Sequence, residues 1–158
     1  MTYCLYTTPL AELLKSKLDF DQISENLASG LIYGLSLSAT DYHTGWATTF
    51  FTGNEKIQPW KHALSLGRRD QLTVDHVLPS AAIPIFFPPV RLEVRDYGDG
   101  GVGLKTPLSP AIRLGANRML VIGVQNPSAD ESEKDASGSH RATLGDISGT
   151  LLNSMFLS

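Results

Sequence analysis

Arg91-Leu-Glu-Val-Arg-Asp-Tyr97, Gly98-Asp99-Gly100-Gly101, Pro107-Leu-Ser-Pro-Ala-Ile-Arg-Leu-Gly115 and Arg118-Met-Leu-Val-Ile-Gly-Val124 follow one another along the chain. The first reads as a short strand feeding a glycine loop, and the third as a helix with proline in its first turn and glycine at its end. The fourth is an unbroken apolar run of the kind that a strand buried on both faces requires. Strand, helix and strand in that order predict an α/β fold with a central sheet, Arg118 to Val124 as an inner strand and helices on both faces.

Working upstream, Leu31 to Ala39 alternates apolar and polar residues, and Gly45-Trp-Ala-Thr-Thr-Phe-Phe-Thr52 repeats the alternation beyond a turn-like Asp41-Tyr-His-Thr-Gly45. The pair predicts a β-hairpin. Thr8 to Lys17 has a threonine cap, Pro9 in the first turn and leucines at 10, 13 and 14, which predicts a short amphipathic helix, and Asp19 to Leu27 predicts a second. Thr73 to Leu78 predicts a third that ends in the proline-rich block Ser80-Ala-Ala-Ile-Pro-Ile-Phe-Phe-Pro-Pro-Val90. Downstream, the polar stretch Asn126 to Ala142 predicts a surface loop, and Leu144 to Leu157 a final helix. No repeat or linker divides the chain, so residues 1–158 read as one domain. A helix that runs uncapped to the last residue makes a partial domain the expectation.

Of the 158 residues 42% are hydrophobic and 18% charged, with a net charge of -3, as in ordinary globular proteins. The basic excess that a phosphate backbone demands is missing, so nucleic acid is not an expected partner. Cys4 is a single cysteine and forms neither an internal disulfide nor a thiolate metal site. His43, His62, His76 and His140 lack the paired spacing of metal ligands, so no metal and no cofactor is expected, and His76 reads as a locally hydrogen-bonded imidazole. No run of eighteen apolar residues and no basic-then-apolar N-terminus occurs, which makes the cytoplasm the default location.

The residue that invites chemistry is Asp99. Gly98, Gly100 and Gly101 free the backbone around it, so that other groups approach closely and one acid is held in a fixed pose, as a candidate base. The block that precedes it is difficult to bury completely because its prolines break regular pairing. Pro84, Phe86, Phe87 and Pro88 are therefore either core or the wall of an acyl pocket. Trp60, Phe50, Phe51, Phe86 and Phe87 invite a lipid-contacting reading, against which ordinary core packing is preferred.

Two motifs imitate others. Gly98-x-Gly100-x-x-Gly103 has the letters of a dinucleotide fingerprint, but no helix is expected to open inside it and no acid closes a later strand to take a ribose. Gly34-Leu-Ser36-Leu-Ser38 falls one glycine short of a nucleophile elbow, and its alternation reads as a strand with serines on one side and leucines on the other. The full Gly-x-Ser-x-Gly turn occurs nowhere in the chain.

Asp75-His-Val-Leu-Pro-Ser-Ala-Ala-Ile-Pro-Ile-Phe-Phe-Pro-Pro-Val90, Tyr97-Gly-Asp-Gly-Gly101 and Pro107 to Val124 together resemble the patatin-like phospholipase family, and Leu37-Ser-Ala-Thr-Asp41 resembles part of its strand pair. The resemblance implies a three-layer α/β/α sandwich, here incomplete on its N-terminal side. It also implies hydrolysis of lipid acyl esters by a Ser-Asp dyad, with Asp99 as the base and peripheral contact with a membrane. The serine elbow and the glycine-rich oxyanion segment of that family precede anything in this sequence. The expectation is thus a fragment that is inactive alone; a non-catalytic α/β binding or assembly module is the alternative.

Overall fold

A computed structural model describes residues 6–84 and 86–122. The chain divides into two units, Met1–Asn117 and Arg118–Ser158. The first contains two helices, α1 (Thr8–Lys17) and α2 (Phe20–Ala28), then four strands, β1 (Gly34–Asp41), β2 (Ala47–Gly53), β3 (Trp60–His62) and β4 (Ser65–Arg69). Helix α3 (Val74–Ser80), strands β5 (Val90–Leu92) and β6 (Arg95–Asp99), and two short helices, α4 (Gly100–Gly103) and α5 (Ser109–Arg113), complete it.

The strands form one sheet in the order β3-β4-β2-β1-β6-β5, antiparallel except for the β2/β4 pair. The expected hairpin is its centre: Leu37 pairs with Phe50 and Ser38 with Thr49, so period-two alternation sends leucines and serines to opposite faces. Ala39, Phe50, Tyr97 and Leu72 form the core of the first face, with Phe20 of α2 and Leu92 packed on it. Helix α3 covers the same side, where the His76 ring meets Phe50 edge-on at 4.9 Å. On the opposite face Phe51 stacks on Trp60 at 5.2 Å, and the Arg113 guanidinium of α5 lies 5.5 Å over that indole. Helices thus cover both sides of the sheet, as an α/β/α arrangement requires.

Local chemistry explains the helix ends. Asp19 Oδ1 accepts from the Gln22 amide at 2.9 Å and caps α2. The N-cap position of α1 is Thr7, whose side chain makes no capping hydrogen bond, and the expected cap Thr8 lies inside the first turn next to Pro9. Helix α3 runs through Pro79, because a proline in the last turn of a seven-residue helix forfeits little hydrogen bonding.

Two expected strands change, and one hairpin that was not expected is present. Arg91 to Tyr97 is not one strand but the hairpin β5/β6, reversed at Glu93 with φ of 54°. A second hairpin, β3/β4, turns at Ala63 with φ of 48°, and no glycine marks it in the sequence. Residues 118–122 form no strand, and Leu120 and Ile122 are exposed: an apolar run is a strand only where a ladder partner receives it, and the described residues provide none. Residues 123 and 124, the loop expected from 126 to 142 and the helix expected from 144 to 157 lie outside the described residues.

Candidate active site

Asp99 is the last residue of β6 and the N-cap of α4, rather than a residue within a loop. Its side chain turns onto the helical turn that follows, where Oδ1 accepts from the Gly101 amide at 2.8 Å. Its amide donates to the Ala82 carbonyl at 3.1 Å, which joins the glycine segment to the start of the proline-rich block. Its carbonyl accepts from the Thr40 hydroxyl at 2.6 Å, and the same Thr40 oxygen accepts from the Gly103 amide at 2.9 Å. Three elements therefore fix this residue: β1 beneath it, the end of α3 beside it and α4 ahead of it.

The glycines act by space rather than by left-handed backbone, since none of Gly98, Gly100 and Gly101 has positive φ. A Cβ on Gly100 would overlap the Ser38 carbonyl oxygen of β1, and one on Gly98 would overlap the Tyr42 hydroxyl. Close approach of α4 to β1 depends on the absence at Gly100, and the seat of the Tyr42 side chain on the absence at Gly98.

Asp99 is 9% exposed and has no basic partner among the described residues. Burial disfavours its charged form and raises its pKa above the ordinary 3.8, against a smaller opposing pull from the Gly101 amide. Asp41 and Asp70 behave in the opposite sense. Burial alone would raise Asp41, but the His43 amide and the Arg95 guanidinium, at 2.8 and 2.6 Å, outweigh it and hold the carboxyl low. Asp70 is half-buried, and is held low by Arg68, which grips it at 2.6 Å while also engaging Glu93 at 2.7 Å. Of these three acids, the one without a cation is the one the sequence singled out.

Pro84, Phe87 and Pro88 are half-buried and Phe86 is 40% exposed, on the segment that begins at Ala82 beside Asp99. The two decoys resolve physically. A single helical turn does open inside Gly98-x-Gly100-x-x-Gly103, but the Asp99 carboxylate already occupies its N-terminal amide, where a dinucleotide phosphate would need to sit. The Ser38 hydroxyl shares a hydrogen bond with Thr49 at 3.0 Å on an ordinary strand. His76 takes the local role expected of it: its Nδ1 accepts from the Thr73 amide at 3.2 Å at the start of α3. Thr40 was not legible as a site residue, because its partners lie 59 and 63 positions away.

A family model described as patatin-like phospholipase matches residues 6–112, a span that contains Asp99, Thr40 and the proline-rich block. No curated protein and no solved structure matches the chain. With the six-stranded sheet clothed on both faces and the Asp-Gly-Gly turn at the end of β6, the match shows that this chain belongs to the patatin-like phospholipase family, whose members are lipid acyl hydrolases.

Proposed function

We propose that this chain supplies the base of a Ser-Asp dyad for hydrolysis of lipid acyl esters. Asp99 accepts the proton of a serine hydroxyl as that oxygen attacks the ester carbonyl, and returns it to the departing alkoxide, with no histidine in the relay. The observation that supports the reading is the state of Asp99: a nearly buried carboxyl, held by one backbone amide, with no cation to hold its pKa down. Oδ1 carries the amide bond, and Oδ2 has no hydrogen-bond partner among the described residues, which leaves it as the oxygen for the incoming hydroxyl.

In this reading the segment from Pro84 to Pro88 borders the acyl chain, supported by its tether to Asp99 through Ala82 and by the exposure of Phe86. The lipid substrate brings a peripheral membrane contact with it; no helix among the described residues is long and apolar enough to cross a membrane. A base acts only within about 2.6–3.2 Å of the proton it takes. The 158 residues hold no Gly-x-Ser-x-Gly turn, so the serine and the oxyanion donors belong to residues other than these, and the chain alone is a fragment of the catalytic apparatus. The same missing turn also favours a second reading, a non-catalytic module of the same family, which the nucleotide sequence preceding Met1 distinguishes: an elbow encoded in frame supports the fragment.

The test is a nitrophenyl-ester assay of the purified chain. No turnover above buffer is expected. Turnover that disappears in Asp99→Ala would show that the chain contains its own nucleophile and would overturn the proposal.

A further inference from the structure

On the face of the sheet that carries Phe50 lies a cavity of about 410 Å³ whose lining does not include Asp99, and the proposed ester chemistry makes no use of it. Its floor comes from strands in register: Thr48 of β2 pairs with Leu66 of β4, Leu66 pairs with Lys61 of β3, and Tyr97 of β6 pairs with Asp41 of β1, so these side chains share one face.

Two hydroxyls there are unspent. Thr48 is 2% exposed and Tyr97 3%, yet neither hydroxyl has a hydrogen-bond partner among the described residues. Neither is a sealed, unpaired atom either, so both open onto the cavity they line. Neither hydroxyl is committed to a protein partner, so both are available to donate to a molecule that enters the cavity.

The cavity lining carries three cations, Lys61, Arg68 and Arg95, and one carboxylate, Asp41. Arg68 is occupied by Asp70 and Glu93, and the Asp41 carboxylate is occupied by Arg95 and the His43 amide. Arg95 spends only Nη1 on that pair. Lys61 has no carboxylate within 4.0 Å among the described residues, and its ammonium lies 5.0 Å from the centre of the Trp46 ring. What remains available is a set of donors, namely Lys61, Arg95, Thr48 and Tyr97, with no comparable set of open acceptors. Donors in that number suit a tetrahedral oxyanion better than a planar carboxylate with two oxygens, and Trp46 and Leu66 leave apolar wall for a small organic body.

We propose that this cavity binds the phosphate of a phosphomonoester through Lys61, Arg95, Thr48 and Tyr97. The proposal is independent of the role of Asp99 and survives or fails without it.

Calorimetric titration of the whole chain with inorganic phosphate and with glycerol phosphate tests it. The expected result is saturable binding to glycerol phosphate that weakens about tenfold in Lys61→Ala and measurably in Thr48→Val and Tyr97→Phe, each of which deletes a hydroxyl while keeping its shape. Lys56→Ala, an exposed lysine away from the cavity, leaves it unchanged. Vesicles of phosphatidic acid, set against phosphatidylcholine alone, separate the sources: retention on the former that requires Lys61 assigns the phosphate to a lipid headgroup, and binding of glycerol phosphate without retention assigns it to a soluble molecule. Binding weaker than about 10 mM for every phosphate probe, or an equal effect of Lys56→Ala and Lys61→Ala, overturns the proposal.

Discussion

The Thr40 hydroxyl donates to the Asp99 carbonyl at 2.6 Å across the β1/β6 pair, with both residues buried. Because the same oxygen accepts from Gly103, one side chain on β1 fixes the residue that opens α4 and the residue that closes it. Thr40→Val keeps the shape and leaves a buried carbonyl and an amide unpaired, which costs about 1–3 kcal/mol. Thr40→Ser keeps the hydroxyl and loses one methyl, a cost of about 1 kcal/mol. Urea unfolding with an unchanged slope measures both, and equal losses for the two variants would refute the clamp.

Gly100 and Gly98 separate by what they face. A methyl on Gly100 meets the Ser38 carbonyl, part of a central strand that cannot withdraw, whereas one on Gly98 meets the far end of the half-exposed Tyr42 side chain, whose displacement costs less than that of strand backbone. Gly100→Ala is expected to lose about 3 kcal/mol, and Gly98→Ala clearly less. Thermal unfolding of the two variants side by side checks the order.

Acid stability rests on Asp41 and Asp70. Both have folded pKa values below the ordinary 3.8, so their stabilisation is complete above that value and is lost as pH falls through the depressed folded values. Asp41→Asn keeps the bond from the His43 amide but gives up the charge opposite Arg95, and is expected to cost about 1–2 kcal/mol at pH 7 and little at the acid end. A stability-against-pH curve that runs parallel to the wild type all the way down would contradict this.

For Asp99 the sign reverses. Its folded pKa is raised, so the folded state holds the proton more tightly than the unfolded one, and stability falls as pH rises from the ordinary value through the raised one. Asp99→Asn can still accept from the Gly101 amide and no longer carries the buried charge. It is expected to raise the melting temperature at pH 7 by a few degrees, which corresponds to about 1 kcal/mol in a chain of this size. A lower melting temperature would show that the ionised carboxylate is a structural requirement rather than a tolerated cost.

The central hairpin and the two N-terminal helices were legible because each carries a full period of alternation or helical spacing. The β3/β4 hairpin was not, since Trp60–His62 and Ser65–Arg69 are short, rich in basic residues, and joined at Ala63 without a turn-forming glycine. Its logic is tertiary: Trp60 lies across from Gly67, whose missing side chain makes room for the indole between Phe51 and Arg113. The apolar run also favours a strand over Arg118 to Val124, but across its described residues, 118–122, hydrophobicity alone could not supply a neighbouring strand. At the site, Asp99 stood out among its glycines, although they serve close packing and not unusual backbone angles. Thr40 and Ala82 stayed hidden, because their roles arise only once β1 and the end of α3 converge on β6.

The most direct measurement is a pH titration of the aspartate carboxyl carbons by ¹³C NMR. Asp99 is expected to titrate above 3.8, and Asp41 and Asp70 below it. An Asp99 carboxyl that loses its proton at or below 3.8 would mean that something stabilises its charge, and the reading of it as a base waiting for a serine proton would be wrong.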